Sequence, residues 1–227
     1  MHIIVVASQK GGAGKTTLLR SLAVATEQSG AATAVLDTDP QGSLTSWWNR
    51  READSPALVK FDVDSLSEAV AKLAASGIEY LFIDTPPSVH PQLARLLARA
   101  ALAIVPVRPS PDDLDAVGGT LSIIEAAGCP FVFVITQAKP RTRLQMQTVM
   151  ALAKHGKLAP TIIHDRTDFP TAAISGRTVT ELEHEGASAA EVRDVLAYVM
   201  TQLRKPATEA QTQRTDTWPT TSLRSTG

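Results

Sequence analysis

The chain has 227 residues, a formal net charge of −1 and 44% apolar residues, enough for one ordinary domain with a full core and a short extra piece. A single cysteine, Cys129, excludes a disulfide framework and a cysteine-ligated cluster within one chain, points to the cytosol, and reads most simply as a small core hydrophobe. No run approaches the roughly 18 apolar residues of a membrane span, and no signal-peptide pattern precedes the first apolar segment, so a cytoplasmic protein is expected.

The first element is a short apolar run, Ile3 to Val6, of the kind buried in parallel sheets. Leu18, Leu19, Leu22 and Ala23 recur at helical spacing just beyond it. Between strand and helix stands "KGGAGKTT". Gly11, Gly12 and Gly14 permit backbone angles closed to other residues, so successive N–H groups can turn inward and surround phosphate oxygens at a helix N-terminus. The predicted nucleotide-binding set is therefore Lys10, Gly11, Gly12, Ala13, Gly14, Lys15, Thr16 and Thr17. Lys15 supplies charge to the β- and γ-phosphates, and the Thr16 hydroxyl is a candidate ligand of Mg²⁺. In the common GxxxxGK[ST] spelling the first glycine would fall at position 9, which here is Gln9, and Lys10 stands directly before the glycines. One loop lysine suffices for the terminal phosphates, so Lys10 either has another task or is a solvated loop cation.

Gly30 offers a helix stop, and "TAVLD", Thr33 to Asp37, reads as a second short strand. Asp37 and Asp39 project at period two from its carboxyl end, the edge where open parallel sheets bind ligands. Asp39 can hold the Mg²⁺ hydration shell or orient an attacking water, or both carboxylates can cap a helix beginning near Ser43. Trp47 and Trp48 follow, and because helix neighbours point about 100° apart, one of the pair is expected at the surface. "ALVKFDV" reads as a strand, Leu66 to Ala75 as a helix closed by Gly77, and Tyr80 to Asp84 as another buried strand. Asp84 closes that apolar run where a P-loop enzyme keeps its metal-supporting carboxylate. "TPPS" then fixes a loop beside the expected γ-phosphate, through Pro86 and Pro87.

"ALAIVPV" is the next strand, Asp112 to Ala127 the next helix, and "FVFVIT" the strand after it, with Thr136 and Gln137 at its carboxyl end. From Gln137 to Arg166 six basic residues, Lys139, Arg141, Arg143, Lys154, Lys157 and Arg166, face Asp165 alone. This imbalance makes either a nucleic-acid patch, with Arg141, Arg143, Lys154 and Lys157 as its contacts, or an ordinary solvated face. A helix from Ala189 to Lys205 carries Val192, Val195, Leu196, Val199 and Leu203 as a core-facing stripe and closes a domain of residues 1–205. Residues 206–227 are polar, threonine-rich and aperiodic, the composition of a disordered tail. Trp218 and Leu223 are its only large apolar residues, too few for a membrane-binding helix, so no membrane partner is expected.

The spelling "KGGAGKT" resembles the deviant Walker A box of the ParA/MinD family of ATPases, and the resemblance extends over about the first 200 residues. "VLDTDPQGSLTSWW" is similar to the family's second box, "YLFIDTPP" to its Walker B strand, and "VPVRPSPDDLDAVG" to the segment after the next strand. The resemblance implies an α/β P-loop NTPase with a mostly parallel central sheet flanked by helices on both faces. It also implies ATP and Mg²⁺ as cofactors, and a nucleotide-sandwich homodimer in which Lys10 reaches the partner's phosphates. Under it Asp39 is catalytic, alongside Lys10 and Lys15, and Thr16, Asp39 and Asp84 serve the metal. Gln137, where the family commonly has Asn, and Pro106 with the loop from it to Asp113 are the candidates for the base side.

The small ParA-type partition ATPases without an N-terminal DNA-binding domain are the group this pattern resembles most. They imply ATP-driven segregation of plasmid or chromosomal DNA, non-specific DNA binding by the ATP dimer, nucleoid association and stimulation by a centromere-binding adaptor protein. An ATPase that positions a protein cargo or assists conjugative DNA transfer fits the same residues. A metabolic ligase of the dethiobiotin synthetase kind is the rival of another class, and Lys10 speaks against it, because a self-contained ligase needs no lysine in trans. A scaffold that binds nucleotide without hydrolysing it is a third reading.

Overall fold

Period-two alternation decides which side of the sheet each strand residue serves. In β1 (His2–Val6), Ile3 and Val5 join one core layer, while Ile4 and Val6 join the other. The same division runs through β2 (Thr33–Asp37), β4 (Tyr80–Asp84), β5 (Leu102–Val107) and β6 (Phe131–Ile135). Strands buried on both faces read as continuous apolar runs, and that is why they were legible. With the short edge strands β3 (Ala57–Val59) and β7 (Lys157–Leu158) they form one parallel sheet in the order β3-β2-β4-β1-β5-β6-β7.

This computed structural model describes residues 1–87 and 91–204. The expected tail at 206–227, Lys205 and the Ser88 end of the Pro86–Pro87 loop lie outside the described residues.

Helices cover both faces. One layer is closed by α3 (Leu66–Ala75), α4 (Pro91–Leu97), α5 (Pro111–Ala126) and α6 (Arg143–Leu152), through Leu66, Leu96, Leu121, Ile124 and Leu152. The opposite layer is closed by α1 (Lys15–Gln28), α2 (Ser43–Trp48), α8 (Val179–Leu182) and α9 (Ala187–Leu203). Residues Val192, Val195, Leu196 and Val199 of α9 are buried, as their spacing predicts, and α9 lies against α1. A short helix, α7 (Asp168–Ile174), precedes α8.

Two expectations change. The strand read over "ALVKFDV" stops at Val59, because the Asp62 side chain accepts a hydrogen bond from Asp64 N and starts a 3-10 turn over Val63–Ser65. Neither tryptophan is left at the surface: Trp47 is fully buried and its Nε1 donates to Arg177 O at 3.1 Å, while Trp48 is half-buried and donates to Pro56 O at 2.8 Å. Segments distant in sequence supply both acceptor and cover, and helical spacing carries no trace of them.

Candidate nucleotide site

The centre of the sheet supports the site. β1, β4 and β2 end side by side at Val6, Asp84 and Asp37, and the loop from Ala7 leads directly into α1. Gly12 and Gly14 adopt φ of +78° and +80°, which a side chain disfavours, and Gly14 occupies the N-cap of α1. Gly11 is not in that region and a Cβ there meets nothing within 4 Å, so the fold itself does not require glycine at that position. The loop is pinned by distant groups: Thr136 Oγ1 donates to Ala13 O at 2.9 Å and Gln137 Nε2 to Gly12 O at 2.8 Å. On the other flank, Gln9 N donates to Thr120 Oγ1 of α5 at 3.2 Å.

Lys15 is only 7% exposed, and burial lowers its pKa against the opposing pull of Asp84 and Asp39. Thr16 Oγ1 donates to Asp84 Oδ2 at 2.5 Å. Asp84 is fully buried; desolvation pushes its pKa up to about 7 despite the Thr16 hydrogen bond, and Asp37 adds to the rise. Its other oxygen, Oδ1, has no hydrogen-bond partner among the described residues. The two aspartates after β2 divide their tasks. The Asp37 carboxylate accepts from Thr45 N at 2.8 Å and Asp39 N at 3.1 Å, so it holds the start of α2, whereas among the described residues the Asp39 carboxylate accepts a hydrogen bond from Gln41 N alone, at 2.9 Å in its own turn.

The Thr16–Asp84 pair suits a divalent cation: a hydroxyl oxygen, and a carboxylate with one oxygen spare, facing a phosphate loop. No group of three or more His, Cys, Asp or Glu among the described residues forms a metal site unaided, so such an ion would share its coordination with nucleotide phosphates. One consequence is measurable in metal-free, nucleotide-free protein. Asp84 takes up a proton on folding between about pH 4 and pH 7, so its contribution to stability worsens as pH rises through that window. Asp84→Asn is expected to raise the melting temperature at pH 8, by at most about 4 kcal/mol of stability, with the gain vanishing towards pH 4. A gain that does not change with pH in thermal melts would show that Asp84 is not the group responsible.

A cavity of about 680 Å³ opens beside the loop at Gly14 and Thr17, and Gln137, Ile163 and Phe169 are also among its lining residues. Its volume suits a nucleoside. Gln137, one of the two base-side candidates, lines it with φ of +51°. The other, Pro106, lies buried within β5, paired in register with Val134, and is not part of the lining. Arg20 and Arg50, to which the sequence assigns no role, also line the cavity, as does Arg166, the last residue of the basic stretch. They arrive from α1, the end of α2 and the segment before α7, and no local motif marks them.

Lys10 extends along its own chain: Nζ lies 3.8 Å from Asp112, a carboxylate 81% exposed. The basic stretch is dispersed. Arg166 is engaged by Glu191, which also holds His164, and Lys157 is half-buried in β7. Lys139, Arg141, Arg143 and Lys154 are exposed and unpaired with carboxylates among the described residues, but on α6 the exposed Met146 and Met150 separate Arg143 from Lys154.

Comparison with known proteins agrees with this geometry. The profile of the CobQ/CobB/MinD/ParA nucleotide binding domain matches residues 4–179. Maintenance of carboxysome distribution protein A of Halothiobacillus neapolitanus is 30% identical over 207 residues, covering 87% of this chain and 95% of that protein. The chromosome-partitioning ATPase Soj of Thermus thermophilus is 25% identical over 240 residues, covering 89% and 96%. The fold also matches the MinC:MinD cell division protein complex of Aquifex aeolicus, with a TM-score of 0.74 at 16% identity over 88% of this chain and 96% of that one. The profile spans the phosphate loop, Asp39, Asp84 and the strands that carry them, and the chain belongs to the CobQ/CobB/MinD/ParA nucleotide-binding family as one of its ParA/MinD-type ATPases.

Proposed function

We propose that this ATPase is a dimerisation switch that holds ATP between two subunits and uses hydrolysis to release them, acting in the segregation of plasmid or chromosomal DNA. The observation that carries the reading is the contrast between the two loop lysines. Lys15 is buried among the site carboxylates, whereas Lys10 rests on an exposed carboxylate at 3.8 Å, a contact worth about 1 kcal/mol or less and readily exchanged for a phosphate. ATP then favours the dimer because Lys10 gains a phosphate of the partner's nucleotide only there.

In each subunit the backbone N–H groups from Gly11 to Thr17 cradle the phosphates, and Lys15 neutralises the β- and γ-oxygens. Mg²⁺, when bound, supplies further positive charge at those oxygens, and Thr16 and Asp84 are the groups that would hold it. Asp39 orients the attacking water from the carboxyl end of β2. Gln137 and the cavity beyond Gly14 receive the nucleoside.

The Soj relative supports a DNA cargo, and the carboxysome-distribution relative supports a protein assembly as cargo equally well. Both readings share a nucleoid-bound ATP dimer, an adaptor on the cargo that stimulates hydrolysis, and cytoplasmic placement; among the described residues no helix is long and apolar enough to cross a membrane. Gel shifts with random-sequence DNA test the shared step. Binding is expected with ATP, not with ADP, and should fall steeply with salt, at about −0.9 in log-log slope per phosphate neutralised. Changing the exposed Arg141, Arg143 and Lys154 to Glu, leaving half-buried Lys157 in place, should abolish binding and spare DNA-free turnover. If the unmodified protein binds no DNA at low salt, the nucleoid-matrix reading fails.

A further inference from the structure

Arg108 stands where β5 hands over to α5, and its guanidinium is fixed across the top of the phosphate loop. Nε donates to Asp113 Oδ1 and Nη2 to Asp113 Oδ2, both at 3.0 Å. Asp113 is itself buried, and Ser110 Oγ donates to its Oδ2 at 2.5 Å while accepting from Asp113 N at 3.1 Å as the cap of α5. Burial opposes ionisation of Asp113, but the hydrogen bonds from Arg108 and Ser110 outweigh it and hold its carboxyl below the usual range. A two-pronged bond to a buried, capped carboxylate leaves the guanidinium plane a single orientation.

Asp113 takes two of the five guanidinium N–H groups. The amino group left over is Nη1, which has no hydrogen bond among the described residues, and it is the atom nearest the phosphate loop: a Cβ built on Gly12 would lie 3.6 Å from it. The nucleoside cavity fixes the direction of a bound nucleotide, since it opens at Gly14 and Thr17. The phosphate chain therefore runs back along the loop from Thr17 towards Gly12 and Lys10, and its last phosphate lies at the Gly12 end. A guanidinium already oriented there needs no reorganisation when charge arrives.

We propose that Arg108 is a terminal-phosphate ligand acting within one subunit: its Nη1 donates to the γ-phosphate of the nucleotide bound in the same chain, and Asp113 is the residue that positions it. The inference rests on the nucleotide placement argued above. No bond-making step changes; Arg108 spreads the charge of the γ-oxygens as the bond to ADP breaks, and it distinguishes ATP from ADP because only ATP reaches it.

Calorimetric titration of dilute, monomeric protein with ADP and with a non-hydrolysable ATP analogue tests this. Arg108→Ala is expected to weaken the ATP analogue roughly 10- to 100-fold and ADP by less than about twofold. Millimolar guanidinium should restore part of the analogue's affinity. Asp113→Asn should shift the ATP-to-ADP ratio in the same direction by less, and Arg108→Lys, which keeps the charge and loses the fork, should fall between. Equal loss of both nucleotides would make Arg108 a mere support of the loop and overturn the proposal, as would unchanged binding, with or without loss of the ATP dimer. If unmodified protein binds both nucleotides, those failures leave the nucleotide placement standing; if it binds neither, the placement and this inference fall together.

Discussion

Replacing Lys15 by Ala should abolish nucleotide binding and turnover together, whereas replacing Lys10 by Ala should keep binding and lose the ATP-driven dimer. Lys15 is buried, and burial already lowers its pKa against the pull of Asp84 and Asp39. Without it the loop brings a triphosphate against carboxylates with no buried cation between them, and turnover is expected to fall by at least about 10²-fold. Lys10 gives up only an exposed contact with Asp112, so Lys10→Ala should melt within about 1 kcal/mol of the parent. Turnover of that variant should drop by about 10³-fold or more, the scale of a cation supplied in trans. Fluorescent-nucleotide titration and sedimentation with ATP separate the two effects. A Lys10→Ala protein that still dimerises with ATP would remove the basis for the switch.

Gly176→Ala should be among the most damaging single substitutions outside the site. Gly176 has φ of +66°, and a Cβ there would sit 2.5 Å from Arg50 C and from Arg51 N, both backbone atoms that cannot swing aside. That contact joins the end of α2 to the turn after α7. Around it Arg51 Nη1 donates to Gly176 O at 2.7 Å, Arg51 pairs with Glu181, and Arg50 Nε donates to Ala173 O at 3.2 Å. Forcing the segments apart strains the left-handed residue and breaks these bonds, including the Trp47 bond to Arg177, at a combined cost of about 4 kcal/mol or more. A domain of this size should then melt roughly 8–16 °C lower. Gly30→Ala is the control, because Gly30 also has positive φ, +93°, but nothing lies within 4 Å of its Cβ position. It should lose only about 1 kcal/mol. Equal melting temperatures for the two variants would mean that the turn after α7 yields without resistance.

What the sequence made legible was local. The apolar runs of β1, β2, β4, β5 and β6 need no knowledge of their neighbours, and the phosphate loop with Thr16 spells its chemistry within ten residues. Asp84 could be placed because it ends such a run. Groups that act through distant partners were not legible. The spacing around Lys10 does not reveal Asp112, and that around Arg108 shows neither its bond to Asp113 nor its closeness to Gly12. The Trp47–Trp48 pair misled because helical spacing shows where side chains point and not what later covers them. Residues 178–181 do carry a readable signal, since Thr178 and Glu181 form a capping box at the start of α8, and a closer reading of T-x-x-E would have found that helix.

The strand order also sets a timetable for synthesis. β1 is made first yet pairs with β4 and β5, so Ile3 waits for Leu81 and Ile4 for Leu102. The hydrogen bond that fixes the loop carbonyl of Ala13 comes from Thr136, 123 residues downstream. A chain emerging from the ribosome therefore carries the letters of the phosphate loop long before it has the loop, and its apolar first strand remains unpaired, with aggregation a hazard, until more than a third of the chain has followed. A chain arrested before Thr136 lacks both side chains that pin the loop, Thr136 and Gln137, so the cradle is completed only after β6 has been made.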